Sequence, residues 1–190
     1  SRSGARLALT FDDGPDPEST LALLEALRDA DARATFFVLV DRAERWPELL
    51  RAIAAEHEVG LHGVGHHPWL TLWTPRRGAR ELEDGARRLE ALCGQSVHLF
   101  RPPFGVTSPR LGAAVALAGL RTIWCSVRVR DGVPISDEVL LSRCRGAGVG
   151  DIVLLHEGPR PTARLVAQVL EEMAQRGVSS VSVSELLEAE

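Results

Sequence analysis

The order of apolar runs along the chain is the feature that most constrains its fold. Short runs rich in Val, Leu, Ile and Phe alternate with longer stretches whose apolar residues recur every three or four positions. This alternation, repeated about seven times, predicts strands followed by amphipathic helices and is typical of a mostly parallel α/β architecture, either an open sheet or a barrel. The predicted strands are residues 6–11, 34–40, 58–62, 97–100, 120–127, 151–156 and 179–183.

Two of the stretches between strands have clear helical spacing. Residues 18–30 and residues 161–177 are predicted as helices, and Gly177 falls where a helix C-terminal glycine is expected. Their apolar residues are predicted to face the core: Leu21, Leu24 and Leu27 in the first helix, and Leu165, Val169, Leu170 and Met173 in the second.

Length and composition exclude several classes of protein. With 190 residues and no composition break, the chain is expected to form one domain. No apolar run approaches the ~18 residues of a membrane span, and a net charge of -4 argues against binding duplex nucleic acid, so we expect neither. Three scattered cysteines are too few for a disulfide framework and are expected to be small buried residues. Residues 1–5 lack the apolar core of a signal peptide, which leaves the compartment undetermined.

Two adjacent carboxylates follow the first predicted strand. Residues 10–15 read TFDDGP, and because a Gly-Pro pair cannot continue a sheet, Asp12 and Asp13 are predicted on a tight turn at the strand end. One interpretation is a solvated turn in which Asp bonds to nearby backbone. The other is a split pair, in which one carboxylate binds a cation and the other acts as a base. Active-site residues gather at the carboxyl ends of the strands in such folds, where this segment lies.

Histidines cluster after the third predicted strand. Three of the six histidines, His62, His66 and His67, lie among glycines that allow the backbone to bend toward an ion. One carboxylate with two imidazoles leaves an open coordination position, as catalytic zinc requires. His62 and His66 are the candidate pair, and His67 offers an alternative register. Together with the two carboxylates, this cluster indicates a metal site.

Two further strand ends carry reactive groups. Residues 101–105 read RPPFG, in which two prolines remove two amide donors and leave the Phe104 and Gly105 amides on a rigid loop suited to holding an oxyanion. Arg101 is a candidate partner for a carboxylate of the first segment. His156 ends an apolar strand and is a candidate general acid, because imidazole titrates near neutral pH. A surface turn with an exposed arginine, and a purely structural histidine, are the alternatives.

Taken in order, these segments resemble the polysaccharide deacetylase family, the carbohydrate esterases of family 4 that share the NodB homology domain. The resemblance spans essentially the whole chain. It is carried by TFDDGP at 10–15, HGVGH at 62–66, RPPFG at 101–105, RVRD at 128–131 and LLH at 154–156, with ATFFV at 34–38 and the stretch 176–187 in support. It implies one domain over residues 1–190 folded as a distorted (β/α)7-type barrel. It also implies metal-dependent removal of acetyl groups from N-acetylated or O-acetylated carbohydrate, such as chitin oligosaccharide or peptidoglycan.

The resemblance implies a cofactor and a setting as well. Asp13, His62 and His66 match the family's ligands for a divalent metal, usually zinc, with cobalt, nickel or manganese as the other candidates. The implied partner is an N-acetylated glycan substrate, and we expect a monomer. The family's habit implies the cell envelope or the exterior of the cell.

Four positions match catalytic groups of the family. Asp12 matches the general base that activates water, and Arg101 matches the arginine that orients this base. His156 matches the acid that protonates the leaving amine, and Asp131 matches the carboxylate that pairs with that acid. The two groups need opposite protonation states, which different partners can maintain.

The substrate pocket combines matches with departures from the family pattern. Phe104 matches the residue whose amide holds the oxyanion, and Leu154 matches the residue that lines the pocket for the acetyl methyl. Gly63 replaces a usual Ser or Thr, while Arg128 and Gly132 stand where the family often has Asp and Trp. These departures leave two alternatives: hydrolysis of an atypical or small-molecule acetylated substrate, and a non-catalytic glycan-binding relative.

The tryptophans offer apolar faces for packing or for sugar rings. Trp69 and Trp73 lie in the loop after the histidines, where they either pack against the barrel or form a platform for a sugar. Trp46 and Trp124 are expected in the core.

Overall fold

The computed structural model describes residues 4–133, 136–158 and 162–188. Within these ranges the strands are β1 (Ala5–Asp12), β2 (Ala34–Leu39), β3 (Glu58–Gly63), β4 (Leu99–Phe100), β5 (Arg121–Thr122), β6 (Val127–Arg128), β7 (Ile152–His156) and β8 (Val178–Ser180). The α-helices are α1 (Thr20–Asp29), α2 (Val40–Arg45), α3 (Pro47–Glu56), α4 (Pro75–Cys93), α5 (Pro109–Leu117), α6 (Asp137–Arg145), α7 (Thr162–Gln175) and α8 (Val183–Leu187). Short 3₁₀ turns cover Pro68–Thr71 and Pro103–Gly105.

The strands form one parallel sheet in the order β5-β4-β3-β2-β1-β7-β6. Its two edge strands, β5 and β6, are joined in the chain by residues 123–126 alone. Because each residue spans at most ~3.6 Å, the two edges must lie within ~18 Å of each other, so the sheet curls toward closure. The predicted α/β class and distorted (β/α)7-type barrel are confirmed. The strand β8 is an addition that pairs with residues 5–7 of β1.

Alternation along the strands separates an inner from an outer face of the curled sheet. Ala8, Phe37, Leu99 and Ile123 belong to a small buried cluster, and Val183 of α8 packs into it. Leu186 of α8 belongs to the same cluster. Residues two apart on a strand share a face. The inner face of β1 therefore continues from this cluster toward the carboxyl end of the strand.

The outer face packs against the helices. The strand residues of the outer face alternate with those of the inner cluster. The apolar residues predicted to face the core from residues 161–177 lie on α7 and pack against them. The buried residues of this larger cluster include Leu7, Leu9, Phe11, Phe36, Phe100, Leu165, Val169, Leu170 and Met173. Apolar burial on both faces explains why the strands read as continuous apolar runs.

Several predicted boundaries are wrong. The predicted strand 120–127 is two short strands on opposite edges of the sheet, because the chain crosses between the edges at residues 123–126. The predicted strand 179–183 ends at Ser180, and Val183 begins α8 instead. Leu21 of α1 is exposed, so the buried apolar face of that helix consists of Leu23, Leu24 and Leu27. The start of the predicted helix at residue 161 lies outside the described residues.

Cysteine burial and membrane character can also be compared with expectation. Cys144 is buried as expected, whereas Cys93 and Cys125 are only partly buried, and all three are free thiols. Among the helices of the described ranges, none combines the length and apolar character that crossing a bilayer requires.

Candidate active site

The loops after β1, β3, β4 and β7 meet at the carboxyl end of the sheet and surround a cleft of about 490 Å³. The residues predicted for the site that line it are Asp12, Asp13, His62, His66, Arg101, Phe104, Leu154 and His156. Asp131, the remaining predicted residue, is buried behind His156. Eight more residues line the cleft: Pro102, Gly105, Trp124, Cys125, Arg128, Arg130, Gly132 and Val133. The strand-end argument from sequence thus brings all the predicted groups to one place.

Asp13, His62 and His66 form a group that can hold a metal ion. One ligand atom from each lies within 4.8 Å of the others. Oδ1 of Asp13 is 3.4 Å from Nε2 of His62 and 3.3 Å from Nε2 of His66. This oxygen is buried and has no hydrogen-bond partner among the described residues. A buried carboxylate oxygen that faces two ring nitrogens without bonding to either fits a shared cation.

The protonation states of Asp13 and His66 also favour a metal site. Burial pushes the pKa of Asp13 upward, but the imidazoles of His62 and His66 outweigh it and hold that pKa below its usual value. Burial lowers the pKa of His66, and the charge of Asp13 only partly offsets this. A carboxylate and a neutral imidazole are the forms that bind metal ions.

A β-bulge aims His62 at this group. In the pairing of β2 with β3, Val38 is opposite Leu61 and Leu39 is opposite Gly63, so His62 is the extra residue. Bulges re-aim a side chain in this way and are frequent next to active sites. Gly63 has φ +119°, a conformation that side chains rarely adopt. This backbone conformation explains why the chain has glycine at position 63, where the family usually has Ser or Thr.

The ring of His62 is oriented by Arg101. Nδ1 of His62 lies 2.8 Å from the backbone oxygen of Arg101. Since a carbonyl oxygen can only accept, Nδ1 carries the proton and Nε2 presents its lone pair to Asp13 and His66. This hydrogen bond selects the tautomer that ligation requires.

Asp12 lies on the inner face of β1 and is held by the same arginine. Nη1 of Arg101 donates to Oδ1 of Asp12 at 2.8 Å and to Oγ1 of Thr10 at 2.6 Å. Both partners of this ion pair are buried. Oδ2 of Asp12 instead faces Nε2 of His62 at 4.0 Å. The pairing predicted between Arg101 and a carboxylate of the first segment is present, and it leaves one oxygen of Asp12 turned toward the proposed ion.

His156 stands directly across from Asp12, since these two residues are paired in register at the ends of β7 and β1. Nδ1 of His156 donates to Oδ1 of Asp131 at 2.7 Å, and the backbone amide of His156 donates to Oδ2 of the same carboxylate at 2.8 Å. Burial would lower the pKa of His156, but the hydrogen bond and charge of Asp131 outweigh this and raise it. The predicted pair is thus present and leaves Nε2 of His156 to face the cleft.

The turn after β4 carries Phe104 in the left-handed region, with φ 58°. The two bonds that close this turn are donated by the amides of Gly105 and Val106, to the carbonyls of Pro102 and Pro103. Neither bond uses the amide of Phe104. The Phe104 ring covers His66, with the two ring centroids 4.1 Å apart.

A family model described as polysaccharide deacetylase matches residues 1–123. The chain belongs to the polysaccharide deacetylase family. It is 35% identical to a peptidoglycan-N-acetylglucosamine deacetylase of Bacillus cereus, over 95% of this chain and 87% of that protein. It is 37% identical to a chitooligosaccharide deacetylase of a Bradyrhizobium species, over 84% of this chain and 74% of that protein. The solved structure of the peptidoglycan deacetylase PdaC from Bacillus subtilis superposes with a TM-score of 0.89, at 29% identity over 99% of this chain and 92% of that one.

As a member of this metal-dependent family, the chain has an Asp-His-His group able to hold the ion. That group contains His66. The neighbouring His67 is partly buried and leaves its Nδ1 without a partner among the described residues. The alternative ligand register that the sequence left open is therefore not the one this geometry favours.

Sequence reasoning missed several residues of the deacetylase cleft. Trp124 was expected in the core but is 42% exposed and lines the cleft, because it lies where the chain crosses between the edge strands. Thr10, which binds Arg101, could have been found from alternation, since it shares a strand face with Asp12. Trp73 packs partly buried against the outer cluster and stacks on Arg77. The side chain of Trp69 lies outside what the structure describes.

Glu157 was also missed. Its side chain is buried beneath the turn after β1, where Oε2 accepts a hydrogen bond from Thr20 and Oε1 has no partner among the described residues. Its backbone amide donates to the carbonyl of Asp12 at 2.9 Å. Burial raises the pKa of Glu157 to about 8. No sequence signal distinguishes this glutamate from a solvated one.

Proposed function

We propose that this chain is a metal-dependent hydrolase that removes acetyl groups from N-acetylated, or O-acetylated, carbohydrate such as chitin oligosaccharide or peptidoglycan. One observation carries the proposal: a single cleft brings together a candidate ligand group, a carboxylate paired with an arginine and a histidine paired with a carboxylate. Relatives with deacetylase names support the substrate class. A pure binding module has no need of these two paired groups, which disfavours a non-catalytic role.

We assign Asp13, His62 and His66 as the ligands and zinc as the ion. Two neutral imidazoles and one carboxylate form a donor set that zinc favours and that leaves a coordination position open. Once bound, the ion supplies Lewis acidity to the acetyl carbonyl and acidifies water. Elemental analysis of purified protein tests the assignment, followed by reconstitution with zinc, cobalt, nickel or manganese. Full activity with cobalt, nickel or manganese and none with zinc would overturn it.

The chain's own residues perform the proton transfers. Asp12 takes a proton from the attacking water through Oδ2, while Arg101 holds Oδ1 and fixes the carboxylate in place. The amide of Phe104 donates a hydrogen bond to the oxyanion that develops from the acetyl carbonyl. His156 then delivers a proton from Nε2 to the leaving amine, and Asp131 stabilises the imidazolium that precedes this transfer.

The remaining assignments concern the pocket and the chain as a whole. Leu154 lies beside the acid histidine and is assigned to the acetyl methyl. We propose that the catalytic domain extends over residues 1–190. Every group assigned above comes from one chain, so the site is complete in a monomer, the state that we propose. Size-exclusion chromatography coupled to light scattering tests this state, and a dimer whose dissociation abolishes activity would contradict it.

The first prediction concerns turnover and its dependence on metal. Incubation of the protein with chitotetraose is expected to release acetate and free amines. Chelation is expected to abolish this activity, and a divalent metal is expected to restore it, since Lewis acidity is what the bound ion contributes to the reaction. Acetate release that survives complete metal removal, verified by elemental analysis, would contradict the mechanism.

The second prediction separates the base from the ligands. Asp12→Asn is expected to lower kcat by at least about 10²-fold, because the general base is lost, while the bound metal stays near the wild-type level. His62→Ala is expected to lose the metal, because an oriented ligand is removed. Metal content and acetate release, measured on the same preparations, distinguish the two roles. Retention of both metal and activity by both variants would refute the assignment.

A further inference from the structure

Two arginines on one wall of the cleft have no side-chain partner among the residues that the structure describes. Arg128 and Arg130 line the cleft, and both are exposed. Neither guanidinium forms a hydrogen bond or ion pair with any residue in the described ranges. Two arginines outside the cleft show the pairing that a guanidinium can make, since Arg88 binds Glu44 and Arg145 binds Glu172 through two nitrogens each. The two cleft arginines are therefore free to bind something else.

The backbone between the two arginines is firmly held. Val129 is fully buried. Its amide donates to the carbonyl of Leu154, and its carbonyl accepts a hydrogen bond from Nη1 of Arg143 at 2.8 Å. Asp131, the next residue after Arg130, is anchored by its two bonds to His156. The arginines thus project from a segment whose position is set by the catalytic groups beside it.

Arg128 lies close to the reacting position. In the pairing of β6 with β7 it is in register with Leu154, two residues before His156. Its Nη2 lies 3.0 Å from where a Cβ on Gly105 would stand, so the guanidinium packs against the turn that carries Phe104. A group bound by Arg128 would therefore sit near the acetyl group whose oxyanion Phe104 is assigned to hold.

The carboxylates in and behind the described part of the cleft already have other partners. Asp12 is paired with Arg101, Asp131 is paired with His156, and Asp13 belongs to the proposed ligand group. The chain as a whole has a net charge of -4, so a positive wall here is a local feature of the cleft. Positive charge in a cleft attracts anionic ligands, and guanidinium geometry matches carboxylate and phosphate oxygens.

We propose that the cleft accepts an N-acetylated sugar that carries an anionic substituent, a carboxylate or a phosphate, and that Arg128 and Arg130 bind this substituent. The inference rests on the proposed function and narrows its substrate class. Trp124, exposed in the same cleft, offers an apolar face on which the ring of that sugar can lie. The two arginines then determine specificity for the charged substituent.

The test compares oligosaccharides of one length and different charge. We would measure kcat/KM for chitotetraose, for chitotetraose oxidised to carboxylates at C6, and for the 6-phosphorylated tetrasaccharide. The wild type is expected to prefer an anionic form by about tenfold or more at low salt, equivalent to about 1.4 kcal/mol, with the preference falling as salt rises. The two anionic arms decide between carboxylate and phosphate.

Variants then assign the preference to the two arginines. In Arg128→Gln with Arg130→Gln, the ratio of kcat/KM for anionic over neutral substrate is expected to fall to about one. Arg51→Gln is the matched control, because Arg51 is exposed on α3, outside the cleft. A wild-type ratio near one would overturn the inference. So would a double variant that slows anionic and neutral substrates by the same factor.

A binding measurement keeps this inference separable from the proposed function. Calorimetry of the Asp12→Asn variant compares affinity for the neutral and anionic tetrasaccharides without turnover. If the wild type hydrolyses nothing but Asp12→Asn binds the anionic form about tenfold more tightly through the two arginines, the proposed function fails and the anion site stands. If the wild type hydrolyses neutral and anionic forms equally and Asp12→Asn binds them equally, the function stands and the inference falls.

Discussion

Arg101 connects the two halves of the site at the scale of single residues. Its backbone oxygen fixes the tautomer of His62, while its guanidinium binds Asp12 and lies over the ring of Phe37. The motif around Arg101 can be recognised from sequence, and its pairing with a carboxylate is predictable because both follow strand ends. The double use of this residue is not predictable, since it depends on how β3 and β4 are placed side by side.

The third prediction concerns the acid. In Asp131→Asn the carboxylate charge that raises the pKa of His156 is lost while burial remains, so that pKa is expected to fall. Activity needs protonated His156 and declines as pH rises through its pKa. The alkaline limb of the kcat/KM profile should therefore move to lower pH, which a pH–rate series measures directly.

One result would contradict the predicted shift of the alkaline limb. A limb that stays in place in Asp131→Asn, with kcat/KM reduced equally at every pH, would mean that His156 does not act as the acid. Wild-type metal content in the same samples serves as the control, because Asp131 is not among the proposed ligands.

At the scale of elements, the bulge in β3 and the split of the predicted strand 120–127 shape the cleft. The bulge makes His62 the extra residue against β2, and the split delivers Trp124 to the cleft wall. Strand existence was predictable from apolar periodicity. The bulge and the split were not, because both depend on which strands lie next to each other, which local sequence does not encode.

The fourth prediction tests the bulge. Gly63→Ala places a side chain at φ +119° and is expected to lower the free energy of unfolding by about 1–3 kcal/mol. Metal affinity should fall as well, since His62 is aimed by the same bulge. Urea denaturation and metal titration measure the two effects.

A helical glycine provides the matched control for Gly63. Gly112 lies exposed within α5, and a Cβ there meets nothing within 4 Å. Gly112→Ala is expected to raise the free energy of unfolding by about 0.4–1 kcal/mol, because it restricts the unfolded chain and favours the helix. If Gly63→Ala were as stable as Gly112→Ala, the conformation at residue 63 would not be a constraint.

At the scale of the whole molecule, closure of the curled sheet places distant segments in contact. The chain crosses from β5 on one edge to β6 on the other, and Glu157 at the end of β7 reaches Thr20 of α1. These contacts bury an ionisable group that the proposed reaction does not use. The free-energy cost of burying this carboxyl group therefore lowers the stability of the whole fold.

The fifth prediction concerns how the cost of burying Glu157 changes with pH. Burial raises the pKa of Glu157 from 4.5 to about 8, so between these pH values the folded chain keeps a proton that the unfolded chain has lost. The stability of the wild type relative to Glu157→Gln should thus fall as pH rises from about 4.5 to about 8, by up to ~1.4 kcal/mol per pH unit, and level off above. Denaturation of both proteins across this range measures the difference. A difference that does not change with pH would contradict the assignment.

The sequence by itself determined the α/β class, the barrel-type alternation and the identity of the groups at the strand ends, because these depend on local periodicity and on short motifs. The sequence also showed that Arg128 is a positive charge at a position where the family often has Asp. Only the tertiary structure decided that Oδ1 of Asp13 meets two imidazoles, that Trp124 faces the cleft, and that Arg128 and Arg130 have no partner within the described residues. Those facts depend on contacts between segments far apart in the chain, and such contacts exist only once the sheet has closed.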